Sequence, residues 1–251
     1  MKKLLSILLG GGVLLMTGCD TVREVTINED GSGKLTNTLD MSGIIGMAKM
    51  SGQNMDKMGD QKIDTSFTME KIADSIDQIE PADRALIKKG TVGLKVNLEE
   101  EKFITRLEFP FADPTQINRL NKLSGKALSY TMKKRLADSG DAPPGMGEGD
   151  LPEGTIDDYY ELVYSKNGVE RKLNTAKYAT LGEDKGMQSL KEMTGQGLPM
   201  TSVLIINLPR AAKKVEGKNA KLSEDKKKVT ISEPFDEFFE DGKSLEFKIE
   251  Y

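Results

Sequence analysis

The sequence predicts an α+β fold, with mostly antiparallel sheets and a few helices packed on one face. Three observations predict it. Runs that alternate apolar and polar residues recur in neighbouring pairs, turn residues separate the members of each pair, and helical spacing is confined to short stretches between them.

Val25 and Ile27 face one way and Thr26 and Asn28 the other. Asp30-Gly31 makes a turn, and Leu35, Asn37 and Leu39 continue the period of two, which reads as a β-hairpin. Met41 to Met58 is rich in Met and Gly. Ile44, Ile45, Met47 and Met50 give part of it the spacing of an amphipathic helix, broken by Gly52 and Gly59. Its methionines suit adaptable packing better than Cu(I) ligation or contact with lipid. Phe67 to Ile79 is expected to be helical: Thr68 can cap it, Ile72, Ile76 and Ile79 follow, and Pro81 ends it.

Thr91 to Phe111 is the clearest strand pair. Val92, Leu94, Val96 and Leu98 alternate, Glu99-Glu100-Glu101 make the connection, and Phe103, Thr105, Leu107 and Phe109 alternate back. The acidic triplet is expected to be a solvated hairpin tip, not a metal site. Pro114 opens a helix carrying Ile117, Leu120 and Leu128. Asp138 to Thr155, dense in Pro, Gly and Asp, is expected to be a flexible loop or linker, and its acids miss the calcium-loop spacing. Tyr159 to Leu173 reads as a hairpin around Asn167-Gly168. A short helix near Met187 to Met193 precedes Val203-Leu204-Ile205-Ile206, which suits a buried central strand. Val215, the Lys226 to Ile231 stretch, and Leu245, Phe247, Ile249 and Tyr251 suggest an all-antiparallel C-terminal portion, with a turn or two of helix at Pro234 to Glu240. The expected organisation is therefore residues 1–18 as a removable leader, 19–137 as an N-terminal α+β region, 138–155 as the loop or linker, and 156–251 as a β-rich region.

Composition removes several chemistries. Histidine and tryptophan are absent, and Cys19 is the only cysteine. Ser-His-Asp and Cys-His catalysis and any His- or Cys-ligated zinc are thereby excluded. Carboxylate chemistry, Ser-Lys nucleophiles and oxygen-ligated calcium or magnesium stay open. No cofactor, metal or catalytic residue is expected.

Lys2 and Lys3 precede an uncharged apolar run, Leu4 to Met16, and Thr17-Gly18-Cys19 follows. The run is too short for a span, which needs about 20 apolar residues. The segment resembles a bacterial lipoprotein signal peptide with its lipobox. The resemblance implies that the Cys19 thiol is alkylated by diacylglycerol, the chain is cut before Cys19, and the new N-terminus is acylated. The mature chain would have 251 − 18 = 233 residues and a net charge of 34 − 40 = −6. That balance argues against a nucleic-acid partner. Five residues, Asp20 to Glu24, are expected to separate anchor from strand, a reach of roughly 17 Å. In enteric-type sorting Asp20 resembles an inner-membrane retention signal. Other bacterial groups do not follow that rule, and the outer membrane is favoured here. The lysines at 213, 214, 218, 221 and 226 to 228 could touch anionic headgroups, though the polar face of edge strands is the preferred reading.

Two further patches look familiar. Val25-Thr26-Ile27 before Asp30-Gly31-Ser32-Gly33 is similar to the opening strand of LppM-like envelope lipoproteins. Ile206-Asn207-Leu208-Pro209, Asn219-Ala220-Lys221 and Lys228-Val229-Thr230 resemble their C-terminal strands. No activity comes with that resemblance. The function expected is a lipid-anchored envelope module without enzymatic activity, binding a protein partner or an apolar ligand or supporting envelope structure. The alternative is a carboxylate-dependent envelope glycan hydrolase. It needs two acids about 5–9.5 Å apart, whereas Asp157 and Asp158 are adjacent on an expected strand and would point to opposite faces.

Overall fold

The computed structural model describes residues 19–43, 46, 62–76, 79–97, 99–139, 155–195 and 200–251. Among these, twelve strands form two mostly antiparallel sheets accompanied by six helices, an α+β fold as the sequence predicts. Residues 1–18, read above as a leader, most of the Met-rich 41–58 stretch and most of 138–155 lie outside the described residues.

The strands are β1 Cys19–Ile27, β2 Gly33–Asp40, β3 Lys62–Thr68, β4 Thr91–Asn97, β5 Lys102–Phe111, β6 Tyr160–Ser165, β7 Gly168–Leu173, β8 Met200–Asn207, β9 Lys214–Glu216, β10 Ala220–Leu222, β11 Lys228–Pro234 and β12 Phe247–Glu250. The large sheet runs β10-β11-β8-β1-β2-β5-β4-β3, and the small one runs β6-β7-β12-β9. The three hairpins expected from alternation form as read. In the first, Gly31 takes the turn at φ +87°, and Asp30 Oδ1 accepts from Ser32 N at 2.9 Å.

Two readings need correction. The C-terminal strands are not all antiparallel, because β8 pairs parallel with β1, Val22 opposite Val203. The long separation between these strands in sequence hides that pairing. Nor is 67–79 one helix. Phe67 and Thr68 end β3, and helix α1 covers only Glu70–Ser75, with no side-chain cap. Pro81 does not end a helix but opens the next, α2 Pro81–Ile87, at its first turn. Arg84 donates to the carbonyls of Ala73 at 2.6 Å and Ile76 at 3.4 Å, so a side chain from α2 closes the end of α1.

The remaining helices are α3 Ile117–Ser139, α4 Thr175–Tyr178, α5 Lys185–Gly195 and α6 Phe235–Glu240. A short 3₁₀ turn at Pro114–Gln116 leads into α3, capped by Asp113, whose side chain accepts from Thr115 N at 2.9 Å. α3 runs two residues into the stretch read as loop from Asp138. None of the described helices is long and apolar enough to cross a membrane.

One face of the large sheet is the core. Val25, Leu35, Phe109, Leu204, Ile206 and Val229 are fully buried there, beneath Ile117 and Leu120 of α3 and beneath Val169, Ile249 and Tyr251 of the small-sheet region. Burial of each such side chain stabilises by about 1.5–3 kcal/mol. Strands from both sides of 138–155 thus share one sheet and one core. A smaller cluster holds Tyr159, Tyr160, Met187, Phe238 and Leu245.

Candidate functional site

Cys19 is the first residue of β1, in register with Met200 of β8, and Asp20 stands opposite Asp40 and Thr201. The five residues read as a spacer are therefore strand. The backbone of Asp20 to Glu24 is committed to ladder bonds on both sides and leaves no tether.

Sequence reasoning missed the polar centre of the molecule. Arg23 of β1, Arg171 of β7 and Glu233 of β11 are buried on the inner faces of the two sheets, 6%, 1% and 0% exposed. Asp157 joins them from a 3₁₀ turn, Ile156–Tyr159, just before β6. Arg23 pairs with Asp157 through both terminal nitrogens, one bond at 3.1 Å, and lies 3.7 Å from Glu233. Arg171 pairs with Glu233 and stands 3.8 Å from Asp157. Two cations and two carboxylates alternate, so the buried charge sums to zero, the condition under which such a group is tolerated. Asn121 of α3 donates to Asp157 at 3.0 Å, and the Arg171 guanidinium lies 3.9 Å from the centre of the Tyr160 ring. Arg23 Nε, Arg171 Nε and Nη2, and the Tyr164 hydroxyl have no hydrogen-bond partner among the described residues. A signal for the centre was present in the sequence. Arg23 is in phase with Val25 and Ile27, Arg171 with Val169, and Glu233 with Val229 and Ile231, so each charge sits where alternation requires an inward side chain.

Asp157 and Asp158 are not on the strand expected for them but in that 3₁₀ turn. Asp157 points into the charged centre, while Asp158 closes a capping box with Thr155, accepting from Thr155 N at 3.0 Å. They do point apart, through turn geometry rather than strand pleat. Asp157 and Glu233 do converge, Glu233 fully buried and Asp157 partly so, and each is paired with an arginine. At the β4–β5 tip, Glu99 and Glu100 are exposed; Glu99 pairs with Lys62 at 2.7 Å and Glu100 with Lys102 at 2.5 Å. Among the described residues no three His, Cys, Asp or Glu side chains converge as metal ligands. An open groove of about 560 Å³ crosses the outer face of the small sheet, lined by Val163, Asn167, Glu170, Lys213, Lys248 and Glu250. Its charges make it a poor seat for an apolar ligand.

Tyrosines surround the charged centre. Burial pushes the Tyr164 hydroxyl up to about 12. Burial also raises Tyr160, against the pull of Arg171, and raises Tyr159, which donates to Asp184 at 2.7 Å. Because these folded values lie above the ordinary 10.0, the stability the neutral hydroxyls contribute is complete below pH 10 and is lost as pH climbs through the folded values. In a spectrophotometric titration the native chain should develop tyrosinate absorbance later than the urea-unfolded chain. Superimposable curves would contradict the burial described here.

No family model, no curated protein and no solved structure matches this chain.

Proposed function

We propose that this chain is a lipid-anchored protein of the bacterial cell envelope, held to the membrane through Cys19 and acting as a non-enzymatic binding or structural module for a protein partner. The observation that carries this reading is the join between leader and fold. The charged, apolar and small-residue segments of the leader end at Cys19, and Cys19 already stands in the large sheet, level with Met200. Cleavage before that residue would leave every described strand intact. Support for a partner rather than an apolar ligand comes from the outer face of the large sheet. Val22, Glu24, Thr26, Thr201, Val203, Ile205 and Thr230 stand there partly exposed, a mixed polar and aliphatic surface.

Mass spectrometry of the chain produced in a bacterial host with lipoprotein processing should find an N-terminus at residue 19 with added acyl mass. Two acyl chains already suffice for stable anchoring, at about 0.8 kcal/mol per buried methylene. The wild type should therefore pellet with membranes carrying acyl mass at residue 19, and Cys19→Ser should carry none and keep residues 1–18 uncleaved. A Cys19→Ser chain of the same processed length that still pellets would sink the reading.

A further inference from the structure

Resting on lipidation of Cys19, we infer that the domain stands upright on the bilayer, with the end of the large sheet where β1 starts against the headgroups. The end bearing Lys226 to Lys228 then points away from them.

The argument is one of chain length and register. The acylated residue is itself a strand residue, so no spacer lets the domain lift or turn over. β1 is locked between β2 and β8, and the register places Asp40 and Thr201 level with Asp20, and Ile104 of β5 level with Asp40. Among the described residues, these lie nearest the anchor. Nine residues of β1 then lead away, about 26 Å at the usual strand rise. At that far level Thr26 is paired with Asn207, and Asn207 with Lys228. Leu208 N donates to the Lys227 carbonyl at 2.7 Å and Ala212 N to the Lys226 carbonyl at 2.8 Å, which fixes the basic turn at this end. Attraction to anionic headgroups decays over about 8 Å at physiological salt. These lysines, on this geometry, cannot serve as a lipid-binding patch. They face the envelope space instead.

Lying flat would be the other way for a short anchor to rest. It would press the outer sheet face on the headgroups, and that face carries Glu24 bonded to Asn207 at 2.7 Å and Glu108 bonded to Lys34 and Arg106. Pressing that face on the headgroups would desolvate these existing pairs, whereas the upright pose leaves them in water, so the upright pose is favoured.

The test uses the acylated full chain in phosphatidylcholine vesicles containing a lipid with a nitroxide on its headgroup. With Cys19 acylated, any introduced cysteine is the sole free thiol. Fluorophores are placed by Thr201→Cys near the anchor and by Glu29→Cys at the exposed β1–β2 turn. Quenching should be several-fold stronger at position 201. A second pair, Asp40→Cys and Lys227→Cys, should repeat that order and guards against one variant misfolding. Equal quenching of acylated chains, or the reverse order, would overturn the upright pose while leaving the anchor standing. A chain recovered without acyl mass and floating free of the vesicles would remove the anchor, and the pose with it.

Discussion

Glu233→Gln is expected to destabilise the fold by about 3–5 kcal/mol, because it leaves the Arg171 guanidinium buried without its carboxylate. For a domain of this size that corresponds to a loss of roughly 10 °C in Tm. Arg171→Met should cost a similar amount for the converse reason. The pair Arg171→Met with Glu233→Leu should cost much less than either single change, since Arg23 and Asp157 keep each other and the replaced groups fill similar volume. Urea unfolding midpoints of the wild type, Arg171→Met, Glu233→Leu and the double variant decide the matter; a double variant that loses the sum of its two singles would show that the residues do not act as a pair. A pH dependence follows. Burial would raise the Glu233 carboxyl, but Arg171 and Arg23 outweigh it and hold the group below its ordinary 4.5. With the folded value depressed, the contribution is complete above about 4.5 and is lost as pH falls through the folded value. Wild type should therefore lose stability more steeply below that pH than Glu233→Gln, which has no such group to protonate.

The same centre marks how far the sequence could be read. Hairpins were legible wherever alternation met a turn signal, as at Asp30-Gly31 and Asn167-Gly168, because both the period and the turn are local properties. β3 was not legible. It is an edge strand whose residues Lys62, Asp64, Thr65 and Ser66 are exposed, so no apolar alternation marks it and its last residues looked like a helix start. The parallel pairing of β1 with β8 joins residues far apart in the chain and leaves no local trace. The charged centre was legible in part. Each charge could have been placed on an inner face by phase, yet which cation meets which carboxylate depends on how the two sheets stack. Alternation says which way a side chain points and nothing about what it meets.

Gly33→Ala should be about as damaging as loss of Glu233, for a reason that looks local and is not. The turn read at Asp30-Gly31 needs its positive φ at Gly31, not at Gly33. In the fold, Gly33 opens β2 and is paired on one side with Ile27 and on the other with Phe111. A methyl group there would overlap the Thr26 carbonyl oxygen and the ring of Phe111, whose Cε2 would lie 2.8 Å away. The Phe111 ring is buried, 4% exposed, and the Thr26 carbonyl is backbone beside β8, so neither can step aside cheaply. Overpacking of this kind costs about 1–3 kcal/mol and occasionally more, and contact with backbone puts Gly33→Ala at the upper end. Gly125 supplies the control. It lies in the interior of α3, exposed, with nothing within 4 Å of an added Cβ, so Gly125→Ala should stabilise by about 0.8–1 kcal/mol through helix propensity alone. Thermal unfolding of the two variants should move Tm in opposite directions. A Gly33→Ala chain as stable as wild type would mean that β2 does not enter the sheet at this residue. The register of the first hairpin would then have to shift, and with it the level of every residue measured from Cys19.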